Sequence, residues 1–235
     1  MIILSLDSTE NTSTAALTDG RRLLGQTTIT VGNTHSETLL PAIDNLLTSI
    51  GKTYGDVELF ACAAGPGSFT GVRIGAATVK GMAFGRNRPC VGVSALEALA
   101  YNLIGFDGIV CPAMDARRSQ LYNAIFRSHD GKIERLTPDR VIAAADLSEE
   151  LKAYDEPIYV CGGGTHILCE TAKANPLVRP APELLRYESA YSVALCALTA
   201  VENGLDLSDK TDLILAPTYL RPSQAERTRH EKEGL

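Results

Sequence analysis

The chain of 235 residues is 45% hydrophobic and 21% charged, enough apolar material for one large core or two similar lobes. Its formal net charge of −6 argues against an independent nucleic-acid binder, which needs clustered Lys and Arg to displace counterions, so any RNA contact is expected to be shared with a partner. No run of ~20 apolar residues offers a membrane helix, and Met1–Asp7 lacks the basic start of a signal peptide, so a soluble, cytoplasmic chain is expected.

Residues 2–6 form an apolar strand ending in Asp7-Ser8-Thr9, a second strand runs over 12–18, and Asp19-Gly20 marks a hairpin before Arg22–Val31. From Thr34 the period changes: Leu39, Leu40, Ile43, Leu46, Leu47 and Ile50 share a helix face, with Gly51 placed to end it, and Thr34 with Glu37 has the spacing of a capping box. Pro41 would kink the first turns of that helix. A buried strand at Leu59–Ala64 leads through Gly65-Pro66-Gly67-Ser68 into a helix reaching about Gly85, followed by a strand at Cys90–Val93 and a helix at Ala95–Leu103. A second series starts at Gly108: strands at Ile109–Met114 and Gln120–Arg127, an Asp130-Gly131 turn, a strand near Ile133–Leu136, a helix at Leu147–Ala153, a strand at Ile158–Cys161, the triplet Gly162-Gly163-Gly164, and helices at Ile167–Ala174 and Ser189–Asn203. Both halves run a meander and then alternate helices with strands, which reads as an α/β chain duplicated in pattern, with lobes at 1–105 and 106–221 and a polar tail at 222–235. The tail reads as a solvated or frayed end, or as a segment that binds a partner. Cys62, Cys90, Cys111, Cys161, Cys169 and Cys196 form no Cys-x-x-Cys pair and are expected as buried thiols; disulfides or a metal cluster are the alternative.

Candidate chemistry sits at three turns. Asp7, Ser8 and Thr9 at the end of the first strand either orient a nucleotide phosphate or cap the hairpin. Asp115 in Met114-Asp115-Ala116-Arg117-Arg118 occupies the matching point of the second half, and Gly162, Gly163 and Gly164 let backbone approach an adenine or ribose. The Gly65–Ser68 turn is either an anion cradle on the N–H groups of the next helix or a tight strand-to-helix turn; its spacing fits neither a Walker loop nor a Rossmann fingerprint. Beyond it, Gly71, Gly75, Ala77, Gly81 and Gly85 strip the helix of bulk, for close packing on the lobe's own sheet or against a helix of another chain. The four histidines are dispersed, with His35 expected at the surface or at a cap, and Ser68 has no identifiable base beside it.

The segments Ile3–Thr9, His35–Pro41, Gly65–Gly75, Val93–Leu99 and Met114–Arg117 together closely resemble the TsaB family, also called YeaZ, and the match runs along the whole chain. The resemblance implies a two-lobe actin-like ATPase (ribonuclease H-like) fold and a place in the complex that forms threonylcarbamoyladenosine in tRNAs reading codons that begin with A. In that family TsaB is the non-catalytic subunit that binds and activates the related TsaD, and TsaE, a P-loop ATPase, completes the assembly. TsaD-like proteins carry a His-x-Glu-Gly-His metal motif after the glycine loop; the matching stretch is Ala95-Leu96-Glu97-Ala98-Leu99, apolar at both histidine positions, and a later Asp of that site falls near Tyr191. The resemblance therefore implies no metal site, no catalytic residue, no protease activity and no cofactor, with Asp7, Ser8, Thr9, Gly162, Gly163 and Gly164 as a vestigial nucleotide site. It places the partner interface on His35, Glu37, Leu40, Gly67, Phe69, Thr70, Gly71, Arg73, Gly75, Thr78 and Gly81. It also implies a homodimer through the same face when TsaD is absent and tRNA contact only through the complex. The rival reading is an ATP-binding phosphotransferase or ATPase using Asp7, Asp115 and the glycine triplet.

Overall fold

The computed structural model describes residues 1–30 and 34–221, so Val31 and the tail predicted at 222–235 lie outside the described residues. In chain order the first half contains β1 (Ile2–Asp7), β2 (Ser13–Asp19), β3 (Arg22–Ile29), α1 (His35–Ile50), β4 (Leu59–Ala63), α2 (Phe69–Ala83), β5 (Cys90–Val93) and α3 (Ala95–Tyr101). The second contains β6 (Gly108–Asp115), β7 (Gln120–Asn123), β8 (Phe126–His129), β9 (Lys132–Arg135), β10 (Arg140–Ala143), α4 (Ala144–Glu150), β11 (Ile158–Cys161), α5 (Thr165–Thr171), β12 (Val178–Pro180) and α6 (Ala190–Glu202).

The first sheet has the order β3-β2-β1-β4-β5, with an antiparallel meander followed by parallel β4 and β5. The second repeats it: β7 and β8 both lie antiparallel to β6, β10 and β9 lie outside them, and β11 and β12 follow in parallel on the other side. This is the two-lobe actin-like arrangement. The predicted strand over 120–127 is broken because it faces Pro112 in β6. Proline offers no N–H to a ladder, so the strand bows out at Ala124–Ile125 and buried Asn123 donates from Nδ2 to the Pro112 carbonyl at 2.8 Å. β10 and β12 were not expected; each has only three or four residues, too short for a period to show.

Two helices and the two sheets share a central core. Ile3, Leu59 and Ala61 from the first sheet and Val110, Met114 and Phe126 from the second pack with Leu96, Leu99, Val193 and Ala197 of α3 and α6. A helix pressed between two sheets has no wet face, which is why α6 is buried at every position from Ser192 to Leu198. α1 and α2 cover the far face of the first sheet through Leu39, Ile43, Leu47, Ala76 and Val79, and α4 and α5 do the same for the second through Leu147 and Leu168. All six cysteines are free thiols; five are buried, and burial pushes the Cys111 thiol up to about 12. Residues 211–221 return to the first lobe, burying Leu215 in its core and donating Thr218 N to the Ala64 carbonyl at 2.7 Å.

Two local expectations are corrected. Thr34 is the N-cap of α1 but makes no side-chain cap bond; its carbonyl accepts from Glu37 N at 2.9 Å, so no capping box forms and Pro41 lies inside the helix. The small stripe of α2 is split between two faces. A Cβ at Gly71 would lie 2.0 Å from the Ser8 carbonyl oxygen, one at Gly75 would lie 2.9 Å from Ser8 Oγ, and one at Gly67 would lie 2.5 Å from the Thr9 carbonyl oxygen, so these glycines serve packing within the lobe. Gly81 is exposed and faces open space. Gly71→Ala should therefore cost at least about 2 kcal/mol by overpacking against backbone, while Gly81→Ala should stabilise by up to about 1 kcal/mol through helix propensity. Urea midpoints of the two variants against wild type measure this contrast.

Candidate functional site

The structure brings the predicted cleft residues together and fills the space between them with the chain's own groups. Asp7 ends β1 at 1% exposure, and its Oδ1 accepts from Thr9 N at 2.8 Å and Thr9 Oγ1 at 2.7 Å, while Oδ2 has no partner. Ser8 Oγ donates to the Gly71 carbonyl at 2.9 Å, and the Thr9 carbonyl accepts from Ser68 N at 2.6 Å. The same device recurs in the other lobe, where Asp115 Oδ1 accepts from Arg117 N at 2.7 Å, two residues on. Thus the Asp-Ser-Thr turn is spent on its own loop and on the start of α2, whose Ser68 N-cap accepts from Gly71 N.

The glycine triplet has equally committed donors. Gly162, at φ 93°, donates to the Arg186 carbonyl at 2.6 Å, and Gly164 donates to the Ala113 carbonyl at 2.8 Å. Gly163 donates at 2.7 Å to Oε2 of Glu10, and a Cβ on Gly163 would lie 2.6 Å from Glu10 Oε1. The glycine is needed for a close approach, as the sequence suggested, and the group that approaches is a carboxylate of the first lobe. Glu188, 4% exposed, stands beside it with neither oxygen in a hydrogen bond of good geometry. Burial, reinforced by Glu188, raises Asp7 to about 7 against the pull of the Thr9 bonds. Burial also raises Glu10, opposed by the neighbouring Glu188 carboxyl and by the Gly163 N–H, and holds Glu188 well above the carboxylate range, with Glu10 adding to the effect.

The outer face of α1 and α2 is the second candidate region. Leu40 is 47% exposed and Phe84 74% exposed. Leu40, Asp44, Ala77, Thr78 and Gly81 border a groove of about 600 Å3 between the helices, which Tyr54, Met82 and Arg86 also line. Glu37 and Thr70 are exposed but do not line it, Glu37 bordering a separate recess with Thr27 and Ile29 of β3, and Thr78 Oγ1 is spent on the Ile74 carbonyl. His35 Nε2 bonds the Glu10 carbonyl at 2.8 Å, which ties the start of α1 to the cleft loop. Phe69 and Arg73 form a stack with Tyr219: the rings lie 4.8 Å apart, and the Arg73 guanidinium lies 3.8 Å from the Phe69 centroid.

The positions matched to the histidines of the TsaD-like motif are core residues: Ala95 is fully buried and Leu99 is 1% exposed. Glu97 between them pairs with Arg135 at 2.8 Å, and Tyr191 Oη donates to the Arg21 carbonyl at 2.8 Å. Among the described residues no three His, Cys, Asp or Glu side chains are arranged to hold a metal ion. Sequence reasoning missed Glu10, Glu188 and Tyr219. Glu10 directly follows the Asp-Ser-Thr turn in sequence, whereas Glu188 and Tyr219 arrive from distant segments that no local pattern connects to the site.

The family described as TsaD, tRNA N6-adenosine threonylcarbamoyltransferase, matches residues 29–228. The tRNA threonylcarbamoyladenosine biosynthesis protein TsaB of Bacillus subtilis is 35% identical over 167 residues, 71% of this chain and 73% of that protein. Its counterpart in Haemophilus influenzae is 38% identical over 130 residues, 52% of each chain. Among solved structures, YeaZ from Pseudomonas aeruginosa superposes with a TM-score of 0.78 at 26% identity, covering 93% of this chain and 99% of that one. A family match over most of the chain, a relative aligned across more than two thirds of it and a shared two-lobe architecture agree: the chain belongs to the TsaB (YeaZ) branch of the TsaD family.

Proposed function

We propose that the chain is a non-catalytic subunit in the formation of threonylcarbamoyladenosine on tRNAs that read codons beginning with A. It binds and activates a TsaD-like catalytic subunit, a TsaE-like P-loop ATPase completes the assembly, and tRNA is reached only through the complex. The observation that carries this reading is the contrast between the two candidate regions. The cleft donors are already bonded to Glu10, Arg186 and Ala113, while the α1–α2 face keeps an open groove with Leu40, Ala77 and Gly81 on its wall. Ala95 and Leu99 support the same division, since an aliphatic side chain donates no lone pair to a metal that would polarise a carbonyl.

The partner is expected to lay its equivalent helices into that groove, close approach being possible where α2 lacks bulk at Ala77 and Gly81. In the absence of the partner the same surface can pair with its own copy, because related lobes present similar faces. Gly75 is withdrawn from this interface by its contact with Ser8 and Leu6. Gly81→Leu and Leu40→Asp should each weaken binding of the catalytic subunit more than tenfold, about 1.4 kcal/mol, with unfolding midpoints little changed. Calorimetric titration measures this, and unchanged affinity in both folded variants would move the interface elsewhere.

Reconstitution from purified subunits separates activator from enzyme. Omission of this chain should abolish tRNA modification, and the chain incubated alone with ATP and magnesium should show neither heat of binding nor turnover. Turnover by the isolated chain would favour the phosphotransferase reading.

A further inference from the structure

Three carboxylic acids meet where the two lobes face each other, away from the α1–α2 face proposed for the partner. Glu10 comes from the β1–β2 loop, Asp7 from the end of β1, and Glu188 from the loop that leads into α6. The Glu10 carboxylate crosses the cleft to Gly163 N–H at 2.7 Å. Glu188 is 4% exposed and Asp7 1% exposed, and Glu188 Oε1, Glu188 Oε2 and Asp7 Oδ2 are buried without partners. Two carboxylates cannot both stay charged and unpartnered in such a place. A single proton resolves the problem, because a protonated Glu188 becomes a donor for Glu10.

We propose that Glu10 and Glu188 share a proton across the interlobe cleft, and that this carboxyl pair, with Gly163 N–H, is a latch that holds the lobes closed and opens on deprotonation. The groups that face it are Asp7 from β1, Thr12 from the β1–β2 loop, the backbone N–H of Asp115 from β6, and the Cys161 thiol from β11. The acids and the thiol only add to the cost of a negative charge there. Because all three acids are raised on folding, the unfolded chain gives up its protons first. Stability is then highest near the ordinary carboxylate range and below it, and falls as pH rises through about 7 for Asp7 and through the raised range of Glu188.

The test uses the full chain at pH 5.5, 7.0 and 8.5, reading the unfolding midpoint and the protection factor of the Gly163 amide by hydrogen exchange. Wild type should lose stability steadily across this range, and Gly163 protection should fall at least tenfold between the ends. Glu188→Gln supplies a permanent donor to Glu10 and should flatten the Gly163 protection profile and reduce the loss of midpoint to the part that comes from Asp7, leaving the variant more stable than wild type at pH 8.5. Glu10→Gln keeps an acceptor for Gly163 and offers a donor to Glu188, so it should act in the same way and serves if the first variant does not fold. Either folded variant retaining the wild-type pH dependence of Gly163 protection would overturn the latch. So would stabilisation of wild type at pH 8.5 by magnesium or calcium that both glutamine variants lack, since the cluster would then be a cation site.

Discussion

The contact on which the rest of the structure depends is the backbone of α2 lying directly on the β1–β2 loop. At Gly71 the approach is so close that a single methyl group would lie 2.0 Å from the Ser8 carbonyl oxygen. Gly67, Gly71 and Gly75 leave room for the loop, and the loop answers with Ser8 Oγ on the Gly71 carbonyl and the Thr9 carbonyl on Ser68 N. The start of α2, where a nucleotide phosphate would be held in an open cleft, is thereby committed to protein groups. The same contact fixes which side of α2 faces away, and that side presents Ala77 and Gly81 to solvent beside α1.

A second layer of closure follows from the first. With the loop held down, Glu10 is aimed across the cleft at Gly163, and His35 on its carbonyl links that position to α1. The segment 211–221 then covers the glycine turn, with Arg221 Nη1 donating to the Ala116 carbonyl in the other lobe at 2.6 Å. The lobes are joined by a shared core below and by polar bridges above. Such an arrangement suits a subunit whose α1–α2 surface stays fixed on the shared core, with movement confined to the polar bridges above it that the carboxyl latch controls.

Much of this was legible in the sequence, for definite reasons. The apolar runs of β1, β4, β6 and β11 are long enough to identify as buried strands, Asp19-Gly20 and Asp130-Gly131 mark the β2–β3 and β8–β9 hairpins, and the repetition of pattern predicts the repetition of sheet order. The glycine spacing of α2 announced close packing but not its direction, because a four-residue period fits a helix face whichever way it turns. The break between β7 and β8 was readable in principle from Pro112 but required knowing which strand lies opposite. Glu188 and Tyr219 were invisible, since a buried acid and a stacking ring brought in over more than 100 residues leave no local period.

The central claim is that this chain works through its α1–α2 face and not through its cleft. Hydrogen-exchange mass spectrometry of the chain with a TsaD-like subunit, and separately with ATP and magnesium, tests it most directly. The account predicts new protection in His35–Ile50 and Phe69–Ala83 on adding the protein partner, and none at Gly162–Gly164 on adding the nucleotide. Protection of Asp7–Glu10 and Gly162–Gly164 by the nucleotide alone, with α1 and α2 unchanged by the partner, would contradict it.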